Sequence, residues 1–433
     1  MNKNVKKINI ITLGCSKNTV DSEQLCAQLH KNGFQVAHNS DSPDFDIACV
    51  NTCGFINDAK EESIEQILNL VSAKKQGYLK KIIVFGCLSQ RYFNELKTEI
   101  PEIDIIQGNY NITELINIIC EKNIIKDKHS RIFDSPGHYA YLKISEGCSR
   151  TCAFCAIPLI KGKYQSRKID DIINEAKYLS DKGVKELILI AQDLSYYGYD
   201  NYKQLMLPEL VEKISGINGI TWIRLHYLYP FMFPEKLIDI IASNPKLCKY
   251  IDIPLQHISD KMLLSMKRGG TKKQTINLLN KFREKIPDLA IRTSIMVGHP
   301  NETKKEFNEL TKFIKEQKFD RLGVFKYSEE EGTYSAENYK DIISEEEKAE
   351  RMDIIMKIQQ EISLKKNAEK INKTLKVIID SQEDGTYIGR TQHDSVEVDN
   401  EVIITSKEKL QTGNFYNVKV VDYDYYELFA EKC

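Results

Sequence analysis

No stretch of this chain is apolar for long enough to cross a bilayer, which takes about 20 consecutive residues. Positive charge is not in surplus either. The formal net charge is −1, so no global field draws the chain to nucleic acid, DNA included, or to an anionic membrane. A cleavable leader is not expected either. The start, MNKNVKKINIITLGC, has lysines and a short apolar run, but INIITL is too brief for a secretory core and a helix pattern follows at once. It reads as the first strand of a cytoplasmic protein. A disulfide framework is excluded on similar grounds, because such frameworks staple small secreted domains and this chain has 433 residues.

What is there is cysteine, eleven of them, which points to metal or redox chemistry. A composition of 42 % hydrophobic and 28 % charged residues is that of a globular protein, and the length predicts two or three domains. Up to about residue 123, strand-like runs alternate with helical ones: INIITLGC (8–15), FDIACVNTC (45–53), KKIIVFGC (80–87) and IDIIQG (103–108). That alternation predicts an open, parallel α/β sheet. Cys15, Cys53 and Cys87 then share one structural position, the C-terminal end of a strand. Those ends lie on the edge where such sheets bind ligands. Cys26, Cys49 and Cys120 fall inside elements and read as packing, while Cys248 and Cys433 receive no role.

From 139 to about 330, six further strand-like runs separated by helical segments predict a partial or full parallel β/α barrel. The charged helix at 344–372 reads as a connector. Residues 373–433 carry short β-rich runs and turn residues, which predict a small antiparallel barrel of OB-like type. The expected domains are 6–123, 134–371 and 372–433.

The first barrel strand leads into EGCSRTCAFCAIP (146–158), where Cys148, Cys152 and Cys155 are spaced C-x3-C-x2-C. A closed structural zinc site needs four protein ligands, and this loop offers three thiols and no histidine. A zinc with an open position and a 4Fe–4S cubane with one free iron both suit three thiolates.

With Phe154 just before its last cysteine, this motif on a β/α barrel resembles the radical S-adenosylmethionine superfamily. LGCSKNTVDSE around Cys15, NTCGFINDAKEES around Cys53 and FGCL around Cys87 extend the resemblance nearly end to end, to the methylthiotransferases. The resemblance implies an N-terminal domain, a radical barrel and a C-terminal TRAM domain. It implies two 4Fe–4S clusters, one on Cys148, Cys152 and Cys155 that binds S-adenosylmethionine, and one on Cys15, Cys53 and Cys87 that holds the sulfur to be inserted. One S-adenosylmethionine would supply the radical and another the methyl group. Phe154 would lie beside the adenine and Gln192 would contact the cofactor; no catalytic residue is assigned beyond the ligands. An electron donor such as flavodoxin or ferredoxin and a sulfur donor are implied as partners.

AQDLSYYGYD (191–200), LHYLYP (225–230), DIPLQHISD (252–260) and FKYSEEEGTYSAE (325–337) are similar to the branch that modifies an aspartate β-carbon of ribosomal protein S-twelve, rather than the MiaB-like branch that modifies transfer RNA. Charge agrees. Residues 372–433 hold seven Lys and Arg against twelve Asp and Glu, a net of −5, which suits a basic protein partner better than RNA. A non-catalytic iron–sulfur or zinc interaction protein is the rival class. The chain departs from the family pattern at Ser16, at Lys161, and at GHPNET (298–303), where His299 and Asn301 stand in place of Phe and Gly. His299 is expected to be a tolerated polar exchange on a loop.

Overall fold

A computed structural model of the chain describes residues 6–42, 44–108, 112–120, 125, 129–133 and 136–433. The expected domain limits at 123 and 134 lie outside these residues. The chain divides into two compact units. The first takes the chain up to residue 135 with Gly147–Ser149 and Ala156–Lys163; the second takes Pro136–Glu146, Arg150–Cys155 and Tyr164–Cys433.

In the first unit, five parallel strands, β1 (Lys7–Thr12), β2 (Gln35–His38), β3 (Ile47–Thr52), β4 (Lys81–Gly86) and β5 (Ile105–Gln107), run in the order β2-β1-β3-β4-β5. β3 is buried along its whole length, as a central parallel strand covered on both faces should be. α1 (Ser16–Lys31), α2 (Asn57–Lys75), α3 (Cys87–Arg91), α4 (Phe93–Glu99) and α5 (Ile112–Cys120) make the connections. β2 is the strand absent from the sequence reading. It is four residues long, sits on the sheet edge and has no fully buried side chain, so it lacks the apolar run that marks its neighbours. Cys26 and Cys49 are buried in the core as expected, and burial pushes the Cys49 thiol up to about 12, which makes it inert.

The second unit contains the partial barrel. β6 (Tyr139–Lys143) is followed by a two-stranded ribbon of β7 (Ser145–Glu146) and β8 (Gln165–Ser166), then β9 (Glu186–Ile190), β10 (Trp222–Leu225), β11 (Tyr250–Asp252), β12 (Ala290–Val297) and β13 (Arg321–Lys326). Six strands form two parallel three-stranded sheets, β10-β9-β6 and β11-β12-β13. Hydrogen bonds from Cys248 N to Ile223 O and from Leu228 N to Asp252 O link the two at β10 and β11. Among the described residues no pairing joins β13 to β6, so the barrel is open there.

The C-terminal strands β14 (Thr374–Glu383), β15 (Thr386–Thr391), β16 (Glu401–Thr405), β17 (Phe415–Tyr423) and β18 (Glu427–Lys432) close a barrel in the order β14-β15-β16-β18-β17. One pair, β16 with β18, is parallel, where a wholly antiparallel barrel was expected. Closure demands it: β18 returns between β16 and β17, antiparallel to β17.

This small barrel sits against the N-terminal ends of the large barrel's strands. Trp222, the first residue of β10, packs edge-on to Phe415 with ring centroids 4.8 Å apart. Around it runs a buried ionic network. Arg390 joins Glu186 at 2.8 Å and Asp380 at 2.6 Å; Glu186 also takes Arg224 at 2.8 Å, and Asp380 takes His138 at 2.7 Å. Arg321 pairs with Asp394, and Tyr250 donates to Asp399 at 2.7 Å. Ser395 Oγ lies 2.8 Å from His226 Nε2, just past the end of β10.

The helix Glu345–Ala368 is part of this assembly, not a bare connector. Arg351 meets Glu302 at 2.7 Å, Gln359 donates to Phe319 O at 3.0 Å, and Asn367 donates to Asp424 O at 2.8 Å. The charged pattern hid this because five of its seven buried positions are polar, Lys348, Arg351, Gln359, Ser363 and Asn367, against only Ile355 and Ile362.

Burial pushes the Glu186 and Asp380 carboxyls up, but the guanidinium of Arg390 leads a reversal that holds both below the usual carboxylate range. Their contribution is therefore complete above the ordinary pKa of about 4 and is lost as pH falls below it. Arg390→Met should lower unfolding stability by roughly 3–5 kcal/mol at neutral pH, because it removes the shared partner of two buried carboxylates and leaves Glu186 to Arg224 alone and Asp380 to His138 alone. Urea titration followed by the fluorescence of Trp222, the single tryptophan, is the measurement. The deficit should shrink as pH is lowered through the acid range.

Candidate functional site: two cysteine trios

β1, β3 and β4 are adjacent in the sheet, and the three candidate cysteines follow their ends. Cys15 is the N-cap of α1, Cys53 is the residue after β3, and Cys87 opens α3. Glycines bring these ends together. A Cβ on Gly14, whose φ is +92°, would stand 2.8 Å from Cys53 Cβ and 3.0 Å from its Sγ. A Cβ on Gly54 would meet Leu88 Cα at 2.7 Å and Cys87 C at 3.0 Å. The backbones thus touch where no side chain fits, which is what the LGC, TCG and FGC triplets provide.

Uncharged polar side chains fasten the turns. Ser63 accepts from Cys53 N at 3.0 Å and donates to Cys53 O at 2.9 Å. Asn18 donates to Leu13 O at 2.8 Å, Asn51 to Asn18 O at 3.0 Å, and Thr52 to Phe85 O at 2.7 Å. The motif residues flanking the cysteines are accordingly loop fasteners. Burial pushes the Cys53 thiol up, partly offset by the backbone N–H of Phe55.

The second trio occupies the loop after β6 and β7. Gly147 has φ +69°, and a Cβ there would stand 2.4 Å from Lys163 O; the next residue, Cys148, donates its N–H to Gly162 O at 3.0 Å. Further along, Ala153 N donates to Met266 O at 2.8 Å and Ala153 O accepts from Ser335 N at 2.7 Å, which fixes the backbone between Cys152 and Cys155. Among the described residues no group of three or more Cys, His, Asp or Glu side chains is drawn close enough to hold a metal ion.

The donor chemistry nonetheless fits iron–sulfur ligation. Each trio is all thiol, and thiolates select soft or cluster metals. Gln192 lies two residues past β9, and its Oε1 is buried without a hydrogen-bond partner, an acceptor open to a ligand's N–H or O–H. Phe154 is half-buried between Ala153 and Cys155.

Residues 7–108 match a family described as uncharacterized protein family UPF0004, residues 142–314 match the radical SAM superfamily, and residues 371–432 match the TRAM domain. The chain is 52 % identical over 428 residues to a protein of Bacteroides fragilis named ribosomal protein uS12 methylthiotransferase RimO, covering 98 % of this chain and 99 % of that one. A protein of the same name from Parabacteroides distasonis is 48 % identical over 431 residues, covering 100 % and 99 %. The chain belongs to the RimO family. Its fold is shared with the radical S-adenosylmethionine methyltransferase TsrM of Kitasatospora setae, at TM-score 0.57, 14 % identity and 77 % coverage of each chain.

Four residues beside this RimO-family loop, Arg150, Asp193, Tyr229 and Arg268, were given no role in the sequence reading. Arg150 pairs with the buried Asp193 at 2.8 Å and lies 4.1 Å from the ring centre of Tyr229. On the same ring, Arg268 lies 4.4 Å from the centre, and its Nη1 is 3.4 Å from Cys152 Sγ. Arg150 sits within the cysteine motif and could have been singled out. Arg268 is 116 residues away, so only the fold reveals it.

The departures from the family pattern remove no candidate ligand. Ser16 opens α1, Lys161 ends a short helix, and Asn301 donates to Ser265 Oγ at 2.9 Å. His299 lies on the loop after β12, where a tolerated polar exchange was expected, and it is buried there. It is 0 % exposed, packed edge-on to Tyr327 and Tyr339 at 5.2 and 5.8 Å, with Nε2 3.0 Å from Ser335 Oγ. An aromatic cage suited to Phe explains why a flat ring is tolerated there.

Burial, reinforced by His257, lowers the His299 pKa to about 4, so the ring is neutral in the folded state. The unfolded chain binds a proton first, near pH 6.5, so folding stability falls as pH drops from there to about 4. His299→Phe should keep full stability at pH 7.5 and remove on the order of 2–3 kcal/mol of that acid loss. Denaturant curves at pH 7.5, 5.5 and 4.5 check this.

Proposed function

We propose that this chain is a radical S-adenosylmethionine methylthiotransferase that adds a methylthio group to the β-carbon of an aspartate in the small-subunit ribosomal protein uS12. The end-to-end identity with proteins named for that activity carries the proposal. The two all-thiol trios support it. When bound, an iron–sulfur cluster with S-adenosylmethionine supplies one-electron chemistry able to activate an unactivated C–H bond.

The chain's own residues have separable tasks. Cys148, Cys152 and Cys155 would hold the 4Fe–4S cluster, which would supply the electron for S-adenosylmethionine cleavage. Cys15, Cys53 and Cys87 hold a second 4Fe–4S cluster and, through it, the sulfur to be transferred. Gln192 Oε1 accepts a hydrogen bond from the cofactor, and Phe154 packs beside its adenine. Gly147 and the Ala153 backbone bonds keep the loop in shape while the ligands change charge. A low-potential electron donor such as flavodoxin or ferredoxin and a sulfur donor complete the cycle, in the cytoplasm where ribosomal proteins are made.

Protein reconstituted anaerobically with iron and sulfide, reduced and supplied with S-adenosylmethionine, should add a methylthio group to an aspartate of uS12 and nothing to unmodified transfer RNA, read by mass spectrometry. Gain on the RNA alone would reassign the substrate. No gain on either, with no 5′-deoxyadenosine released, would favour a scaffold. Cys152→Ala should abolish 5′-deoxyadenosine release. Cys53→Ala should release it and yet transfer no methylthio group.

A further inference from the structure

Arg268 is a buried cation that forms no ion pair with a carboxylate among the described residues. Its residue is 6 % exposed. Nη2 donates to Pro254 O, Nη1 lies 3.4 Å from Cys152 Sγ, and Nε is buried without a hydrogen-bond partner. Among the described residues no Asp or Glu pairs with it. The nearby Asp193 is engaged by Arg150 at 2.8 Å. Two guanidinia therefore flank the Tyr229 ring, at 4.1 and 4.4 Å, against one carboxylate.

A buried unpaired charge costs several kcal/mol, so a fold keeps one only where a counter-charge arrives. Here the nearest available anion is the Cys152 sulfur once it is a thiolate. The local backbone is built to hold the arginine in place. Lys267, Gly269 and Gly270 all have positive φ, and a Cβ on Gly270 would fall 1.8 Å from a ring carbon of Phe231. Tyr229 OH donates to Arg268 O.

We infer that Arg268 is a positioning residue that tunes the radical cluster: it donates an N–H···S bond to Cys152 and places a fixed positive charge beside the cluster, making the cluster easier to reduce. The inference rests on the assignment of Cys148, Cys152 and Cys155 as cluster ligands. Uptake of one electron adds one negative charge to the cluster. A cation beside a ligand sulfur stabilises the reduced form more than the oxidised one, and hydrogen bonds to the sulfurs act in the same direction. Sequence spacing gives no hint of this, because the arginine belongs to the loop after a different strand.

The test uses the full chain with Cys15, Cys53 and Cys87 all replaced by Ala, so that only one cluster assembles. Reduction is followed by electron paramagnetic resonance during a dithionite-based redox titration, without S-adenosylmethionine. Arg268→Gln should lower the ratio of reduced to oxidised cluster at least tenfold at a fixed potential, which is 59 mV for a one-electron couple. Arg268→Lys, which keeps the charge, should stay within about threefold of the parent. Iron content and thermal midpoint are read on every sample. If Arg268→Gln loses iron while Arg268→Lys keeps it at the parent's potential, the charge is needed to hold the cluster and the inference stands. If Arg268→Gln binds iron with an unmoved potential, the inference is overturned, and weaker S-adenosylmethionine binding in that sample would make Arg268 a cofactor ligand instead. A parent that assembles no cluster would overturn the ligand assignment, and the inference with it.

Discussion

Parallel β-strands put all their C-terminal ends on one edge, and the Cys15, Cys53 and Cys87 trio is arranged by that constraint. A residue placed just after each of three adjacent strands needs no long-range search to meet its fellows; the sheet has already aligned them. What the sheet does not supply is closeness. Strands about 4.8 Å apart carry side chains that keep their turns from touching. Gly14 and Gly54 remove that obstacle, and the Ser63, Asn18 and Asn51 hydrogen bonds hold the resulting backbone contact. The glycines and small polar residues of the motifs are therefore as much part of the site as the sulfurs.

The two ends of the large barrel treat charge in opposite ways. At the N-terminal ends of the strands, arginines and carboxylates are matched in pairs and chains: Arg390 with Glu186 and Asp380, Arg321 with Asp394. Such a matched network fixes the C-terminal barrel in one register, since each charge left over would be costly in the interior. Beside the cysteine loop the matching is incomplete: Arg150 takes Asp193, and Arg268 has sulfur as its neighbour. Saturated charge holds a structure together; unsaturated charge marks where something anionic belongs. One protein uses both, at opposite ends of the same six strands.

The elements legible from sequence were those whose signal is local. Apolar β-branched runs gave the strands, and each cysteine's place at a strand end followed from counting along the chain. β2 was invisible because an edge strand buries little. The helix Glu345–Ala368 read as a connector because most of its buried residues are polar and meet partners 40 or more positions away, such as Phe319 O and Glu302. The burial of His299 was hidden for the same reason, since its cage is built by Tyr327 and Tyr339 from other segments. Function was legible through the family resemblance and the thiol spacing. The supporting arginine was not, because it acts across 116 residues.

The acidic balance of the last 60 residues illustrates how a sequence count must be re-weighed once partners are known. Of the twelve carboxylates between 372 and 433, Asp380, Asp394 and Asp399 face His138, Arg321 and Arg292 of the large barrel and offer nothing to a visitor. Eight others are exposed, against five exposed lysines, so the outward balance remains negative, at about half the strength the sequence suggests. That surface still repels a phosphate backbone, which needs cations to displace its counterions. It would steer a basic protein, but through screened surface charge that governs encounter more than affinity. Discrimination between substrates must then rest mainly on the reaction chamber, where the acceptor carbon has to meet the cofactor, and less on the C-terminal barrel than its composition alone implies.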